Sequence, residues 1–222
     1  MNNFFFVSTS VFSLLVYSIL IFSRPAHAYE EIWGTLALRH SINDKQQLVG
    51  EWRRRDSENL VFAGNSSDIF RLSLNTKFKG FSYLAGVSYA DFEINPSHEI
   101  RLHQFLFFKL LDEVQASLVA RIGTEHRDFS SDANIYHRVR VKLQLNPLPQ
   151  YRFGASIYNE AFFALNGGDR FATGFNENRT AFGVRSTFKN CEIYAFHTLT
   201  YLKFPVGDAH QEWLQFQLIL DL

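Results

Sequence analysis

Between Val114 and Arg127 the side chains change character one residue at a time. Val114, Ala116, Leu118, Ala120 and Ile122 form an apolar set, and Gln115, Ser117, Arg121, Gly123, Glu125 and Arg127 a polar one, with Val119 the exception. A helix would group apolar residues at spacings of three and four, so a period of two predicts a strand with two unlike faces. The run also exceeds the ~3–10 residues of an ordinary soluble strand. The same separation recurs along the chain. Phe70, Leu72, Leu74 and Phe78 oppose Arg71, Ser73, Asn75 and Lys77. Ile135, Val139, Val141 and Leu143 oppose Tyr136, Arg138, Arg140, Lys142 and Gln144. Phe153, Ala155 and Ile157 oppose Arg152, Gly154, Ser156 and Glu160, and Phe182, Val184 and Phe188 oppose Arg179, Ala181, Gly183 and Arg185. The last run sets Leu214, Phe216, Leu218, Leu220 and Leu222 against Gln215, Gln217 and Asp221.

Short turns join these strands in pairs: Lys79-Gly80, Leu111-Asp112, Asn146-Pro147-Leu148-Pro149 and Lys189-Asn190. The connections between pairs are longer or more polar, notably Asn166–Gly174 and Pro205–Ala209. Short turns alternating with longer loops is the asymmetry of a transmembrane barrel. Eleven strands are read directly. A chain that enters and leaves on the same side needs an even number, so a short strand at Asn59–Ala63 makes twelve; ten follows if the first hairpin lies outside the wall. The fold class expected is therefore all-β, a single antiparallel transmembrane β-barrel of twelve strands, with ten as the alternative.

The N-terminus changes the picture of where this barrel resides. Phe4–Phe22 is an uncharged, mostly apolar run, closed by Arg24-Pro25 and followed by Ala26-His27-Ala28, a small-x-small cleavage pattern. Residues 1–28 are expected to be a cleaved signal peptide and 29–222 the barrel domain. The run is nearly long enough to be an uncleaved anchor instead. A single Cys, Cys191, excludes a disulfide framework or a Cys-rich zinc site. The balance of 22 Lys+Arg against 22 Asp+Glu, with 24 Phe and 9 Tyr, excludes a disordered or polybasic nucleic-acid binder. A soluble barrel would turn its apolar side chains inward. Arg, Gly and Ser on the polar face, with little Lys, and a C-terminal strand ending flush with an apolar face both favour the outer membrane. The partners expected are outer-membrane lipid and the barrel-assembly machinery during insertion, with no nucleic acid, no cofactor and no metal; oligomeric state stays open.

Arg121-x-x-x-Glu125-x-Arg127, Arg138-x-Arg140, Asn159-Glu160-Ala161-Phe162 and Asn178-Arg179-x-x-x-Gly183 follow one another in that order, with a final polar strand start at His210. In these motifs the chain resembles the bacterial domain-of-unknown-function family 2490, best from about Glu99 onward. The resemblance implies a barrel fold and an outer-membrane location. It implies no catalytic residue.

With the polar face turned inward, the lumen receives Arg39, Arg53, Arg55, Arg71, Lys77, Arg101, Arg121, Arg127, Arg138, Arg140, Lys142, Arg152, Arg179 and Arg185 against Glu51, Glu99, Glu125, Glu160 and Glu177. A neutral chain thus hides a basic interior. Arg121, Glu125, Arg127, Arg138, Arg140, Glu160, Glu177 and Arg179 form the expected charge cluster. Two chemistries follow from it. Guanidinium forks pair with carboxylates and fill a narrow barrel, giving a plugged scaffold. Unpaired Arg instead gives a track for small anionic solutes through a narrow, porin-like pore. A lipid-modifying enzyme needs a nucleophile beside a base. Ser117 and Ser156 point inward and His126 outward, and His103, His197 and His210 have no metal-ligand spacing, so no catalytic residue is expected.

Overall fold

The computed structural model describes residues 31–57, 66–92, 98–131, 134–167, 173–204 and 207–222. The proposed signal peptide and the candidate strand at Asn59–Ala63 lie outside the described residues. Eleven strands follow in chain order: β1 (Glu31–Ser41), β2 (Gln46–Ser57), β3 (Ser67–Lys77), β4 (Phe81–Phe92), β5 (His98–Asp112), β6 (Ala116–Phe129), β7 (Ile135–Pro147), β8 (Phe153–Ala164), β9 (Gly174–Phe188), β10 (Cys191–Phe204) and β11 (Gly207–Asp221). Each pairs with its chain neighbours, and β11 closes onto β1, so the sheet is a complete barrel with no free edge.

The strand number corrects the expectation of twelve or ten. β2 pairs directly with β3 from Gln46↔Thr76 to Arg55↔Ser67, which leaves no gap in the ring for a strand from Asn59–Ala63. An odd number of alternating strands brings the first and last together pointing the same way. The closing pair is accordingly parallel, running from Glu31↔Trp213 to Arg39↔Asp221. The chain enters at the end bearing the longer connections and leaves at the end bearing the short turns. The even count assumed that the wall begins and ends at the same end of the barrel, which the parallel β1–β11 closure overturns. A second correction concerns the connection expected at Pro205–Ala209: β10 and β11 pair as far as Phe204↔Gly207.

Two bulges adjust the register. One falls between Lys109 and Leu111, and the other between Phe162 and Phe163. At the second, Phe162 faces Glu177 and Phe163 faces Phe175, leaving Asn176 as the extra residue. Asn176 and Glu177 are both buried as a result.

The apolar faces point outward. Phe70, Leu72, Leu102 and Phe182 are each at least half exposed on the outer wall. Aromatic side chains line part of each rim. At the loop end Phe163, Phe175, Tyr201 and His210 form a continuous row, and at the turn end Phe78, Phe81 and Phe108 do the same. The polar side chains on this wall satisfy one another: Asn159 Nδ2 donates to Asn178 Oδ1 at 3.0 Å and to Thr180 Oγ1 at 2.9 Å.

The inner face is a mixture of ions and rings. Trp33, Phe105, Phe129, Tyr136, Tyr158, Phe162, Phe196 and Trp213 are buried there. Two of them lie flat over inward glycines. Phe105 faces Gly123 and Phe196 faces Gly183. A Cβ on Gly123 would stand 2.0 Å from the Gln104 carbonyl oxygen and 2.3 Å from Phe105 Cδ1; on Gly183 it would stand 2.2 Å from the Ala195 carbonyl oxygen. Only glycine lets these rings fold down into the lumen.

Candidate functional site

The lumen is built from strand positions of one parity, so its charges are placed by register. Glu125 on β6 faces Arg138 on β7 and, on its other side, His103 on β5. Glu160 on β8 faces Lys142 on β7 and Arg179 on β9. Cross-strand neighbours on one face stand about 5 Å apart, within reach of a long side chain.

Arg138 Nε donates to Glu125 Oε2 at 2.7 Å, and Arg140 bonds the other Glu125 oxygen. Arg140 also gives two hydrogen bonds to Glu160 Oε1, at 3.0 and 2.8 Å, and Arg121 bonds the same carboxylate. Arg138 reaches Glu177 at 3.4 Å, and Arg179 closes on Glu177 from its own strand. Seven of the eight expected cluster residues therefore form one linked chain of ion pairs. The eighth, Arg127, bonds Glu99, which a bidentate fork from Arg101 also grips at 2.9 and 2.8 Å. Glu99 and Glu125 have no exposed surface, and the Arg138 side chain retains 8%. These are charge-assisted bonds in a dry setting, where losing one partner strands the other.

Ring faces complete the knot. The Phe162 ring is wholly buried, with the guanidinium carbons of Arg138, Arg140 and Arg179 at 4.6, 4.7 and 4.6 Å from its centroid. Phe105 carries Arg121 at 4.8 Å and Arg140 at 5.3 Å. The closing seam is held likewise: Trp33 and Trp213 meet at 3.6 Å between centroids, with Arg179 5.2 Å from each. Cation–π contacts shielded from water are worth about 2 kcal/mol each. None of these rings was among the expected site residues, although parity reveals them: Phe162 shares a face with Glu160, and Phe105 with Arg101.

Four charge assignments change. Glu31, 3% exposed, bonds Arg55 and Trp33 inside the lumen, and Glu192 pairs with Arg39 near the turn end. Both add carboxylates to the interior count. Arg152 stands in the turn before β8, over the Phe188 ring at 3.9 Å, and Lys77 is exposed at the end of β3. The basic excess is smaller than the sequence alone implies.

One serine–histidine contact exists that alternation within single hairpins did not reveal. Ser73 Oγ and His103 Nε2 are 3.0 Å apart. Gly86 makes room for it, since a Cβ there would stand 2.4 Å from the Ser73 hydroxyl and 2.8 Å from the imidazole. Both residues are almost completely buried, and His103 Nδ1 has no partner. A nucleophile needs a base oriented by a third group and an approach for substrate; here the second imidazole nitrogen has no partner and Ser73 is 2% exposed.

The family model described as "Protein of unknown function (DUF2490)" matches residues 30–196. The chain belongs to the DUF2490 family. The match contains every ion pair of the knot and ends before His210, which the motif resemblance had included. No curated protein matches the chain. Solved structures that share its fold include a secretin and LpxR. A bacterial polysaccharide outer membrane secretin aligns at 9% identity with a TM-score of 0.53, over 79% of this chain. This chain spans 64% of that secretin's length. LpxR from Salmonella typhimurium aligns at 7% identity with a TM-score of 0.51, over 92% of each chain. At such identities the likeness is one of barrel fold, and no residue correspondence is carried over.

Proposed function

We propose that this DUF2490 barrel is exported, spans the bacterial outer membrane, and works there as a closed, ion-paired scaffold. The observation that carries the reading is the sealed centre: Glu99, Glu125 and Phe162 have no exposed surface. An open channel keeps its charged lining wet, whereas here carboxylates, guanidinium forks and rings occupy the bore. Small barrels characteristically fill their interior with side chains in this way. The outer wall supports the location. Phe153 and Phe163 lie at opposite ends of outward-facing β8. Ten residues of strand span about 34 Å. At a ~45° tilt that covers about 24 Å, close to the ~25 Å apolar band of outer-membrane barrels. On this reading the wall meets lipid, and the apolar face of β11 meets the assembly machinery during insertion.

The purified barrel in a planar bilayer tests it. Steady conductance is expected to be absent, and Glu160→Gln is expected to weaken the fold without opening a current. A steady anion-selective current in the native chain overturns the scaffold in favour of the second reading, a narrow anion pore. That reading draws on the Arg53, Arg71 and Arg121 side chains, which keep 13–18% of their surface exposed within the lumen. Location has its own measurement: heat-modifiable migration from the outer-membrane fraction, with an N-terminus near Tyr29. Recovery as soluble periplasmic protein refutes it.

A further inference from the structure

One part of the lumen holds more cation than its carboxylates can balance. On β2 and β3, Arg53 and Arg71 share a single carboxylate, Glu51, at 3.1 and 3.4 Å. Across the bore, Arg121 on β6 faces Lys142 on β7 directly in register. Like charges set opposite one another on one face of a sheet repel. Arg121 has part of Glu160, which Arg140 also occupies. Lys142 Nζ lies over the Tyr158 ring at 3.8 Å and forms no salt bridge among the described residues. The two pairs are close enough to feel each other: Glu51 interacts with Arg121, Arg121 with Arg71, and Lys142 with Arg53.

Their hydrogen-bonding capacity is also unspent. The Nε atoms of Arg53, Arg71 and Arg121 are buried without a partner, and so is Nδ1 of His103, whose residue is 1% exposed. A buried donor left without an acceptor is costly, and more so when it is charged. Neighbouring space is nonetheless reachable, because the three arginine side chains retain 13–18% exposure. Water in that space would accept from some of these donors but would leave the charge unbalanced. A group with several acceptor oxygens and negative charge satisfies both demands.

We propose that Arg53, Arg71, Arg121 and Lys142 form a lumenal binding site for a small tetrahedral oxyanion of the phosphate or sulfate class. Guanidinium forks suit such an anion bidentately, and the lysine supplies a point charge. The bound anion bridges the β2–β3 wall to the β6–β7 wall and replaces repulsion across the bore with attraction. The site goes beyond the closed-scaffold reading and does not depend on it: conductance tests one, and anion-dependent stability the other.

The full chain folded in detergent is titrated with sodium phosphate or sodium sulfate against sodium chloride at matched ionic strength, and its thermal midpoint followed. A ligand that binds only the folded form stabilises it by mass action. Native protein is expected to show a saturable rise with phosphate and sulfate beyond that with chloride. Arg71→Gln and Lys142→Met are expected to weaken the apparent affinity at least tenfold, whereas Lys109→Gln, at the exposed turn end, keeps the full response. Calorimetric titration of phosphate into the native chain gives the same affinity without any variant. Absence of an anion-specific rise and of binding heat in the native chain overturns the site. So does an undiminished response in both lumenal variants.

Discussion

A single hairpin, β6–β7, carries two opposite treatments of buried charge. Toward the loop end Glu125 lies between Arg138 and Arg140, each guanidinium has a carboxylate, and the region is sealed. Four residues closer to the turn end, Arg121 stands opposite Lys142, Arg121 divides Glu160 with Arg140 while Lys142 forms no salt bridge among the described residues, and solvent reaches in. Strand, parity and residue type are alike in both places. What differs is the ratio of carboxylate to cation. Where the ratio is near one, ions and rings can pack dry; where cations exceed it, repulsion and unmade bonds hold the space open. Phe105, in contact with both Arg140 and Arg121, is the partition between the two regions.

The largest effect is expected from Arg140→Gln. It removes the cation common to Glu125 and Glu160 in the sealed half. A buried pair broken on one side costs about 3–5 kcal/mol. Urea or thermal titration of the folded barrel should show a loss of that order. A loss under about 1 kcal/mol would mean that the sealed half is as wet as the other, and the comparison would collapse.

Much of this was legible in the sequence, for a physical reason. A barrel wall has two unlike faces, so each strand is sorted residue by residue, and the parity of Arg121, Glu125, Arg138, Arg140, Glu160, Glu177 and Arg179 was fixed by their neighbours. Strand count was less legible, because closure depends on how the first strand meets the last, and no local pattern encodes the parallel β1–β11 seam. The lumenal role of Phe105, Phe162 and Trp33 was masked by a different ambiguity. In such a barrel an aromatic side chain suits either face, so only the parity it shares with charged neighbours, reinforced for Phe105 by Gly123 opposite, marks it as inward.

Val184→Arg separates burial against protein from exposure at the outer wall. Val184 faces outward one residue from inward Arg185. An arginine there would stand between Ala195 and Ala155 and, if the wall spans a bilayer as proposed, costs about 2–4 kcal/mol near the midplane. Stability in liposomes measures it, and Leu118→Arg provides the equivalent on β6. If both are tolerated as well as charge is in the lumen, the assignment of the two faces is wrong.

Gly123→Ala attacks the partition itself. The added Cβ meets a backbone carbonyl at 2.0 Å, which cannot yield as a flexible side chain would, and pushes Phe105 from its place. Overpacking of this kind costs about 1–3 kcal/mol. Thermal titration should show that loss, together with faster hydrogen exchange of the β6 amides around Glu125 as solvent passes the displaced ring. Loss of stability with unchanged exchange would leave Phe105 a space filler rather than a barrier.

The smallest change is expected where the same substitution as in the sealed half is made in the open one. Arg71→Gln removes a guanidinium whose only carboxylate among the described residues, Glu51, keeps Arg53 at 3.1 Å. No anion is stranded, and one like-charge neighbour of Arg53 and Arg121 disappears. The lost bond at 3.4 Å is long and borders solvent, so it contributes little. Relief of repulsion offsets that loss, and in phosphate-free, sulfate-free buffer the net change should lie within about 0.5 kcal/mol of zero. Arg140→Gln and Arg71→Gln are chemically identical replacements at buried lumenal positions, so protein size, detergent and unfolded-state effects largely cancel between them. The difference in their effects isolates the carboxylate-to-cation ratio as the variable. Comparable destabilisation by both would show that every lumenal arginine is held in one common network and that the hollow is an extension of the knot.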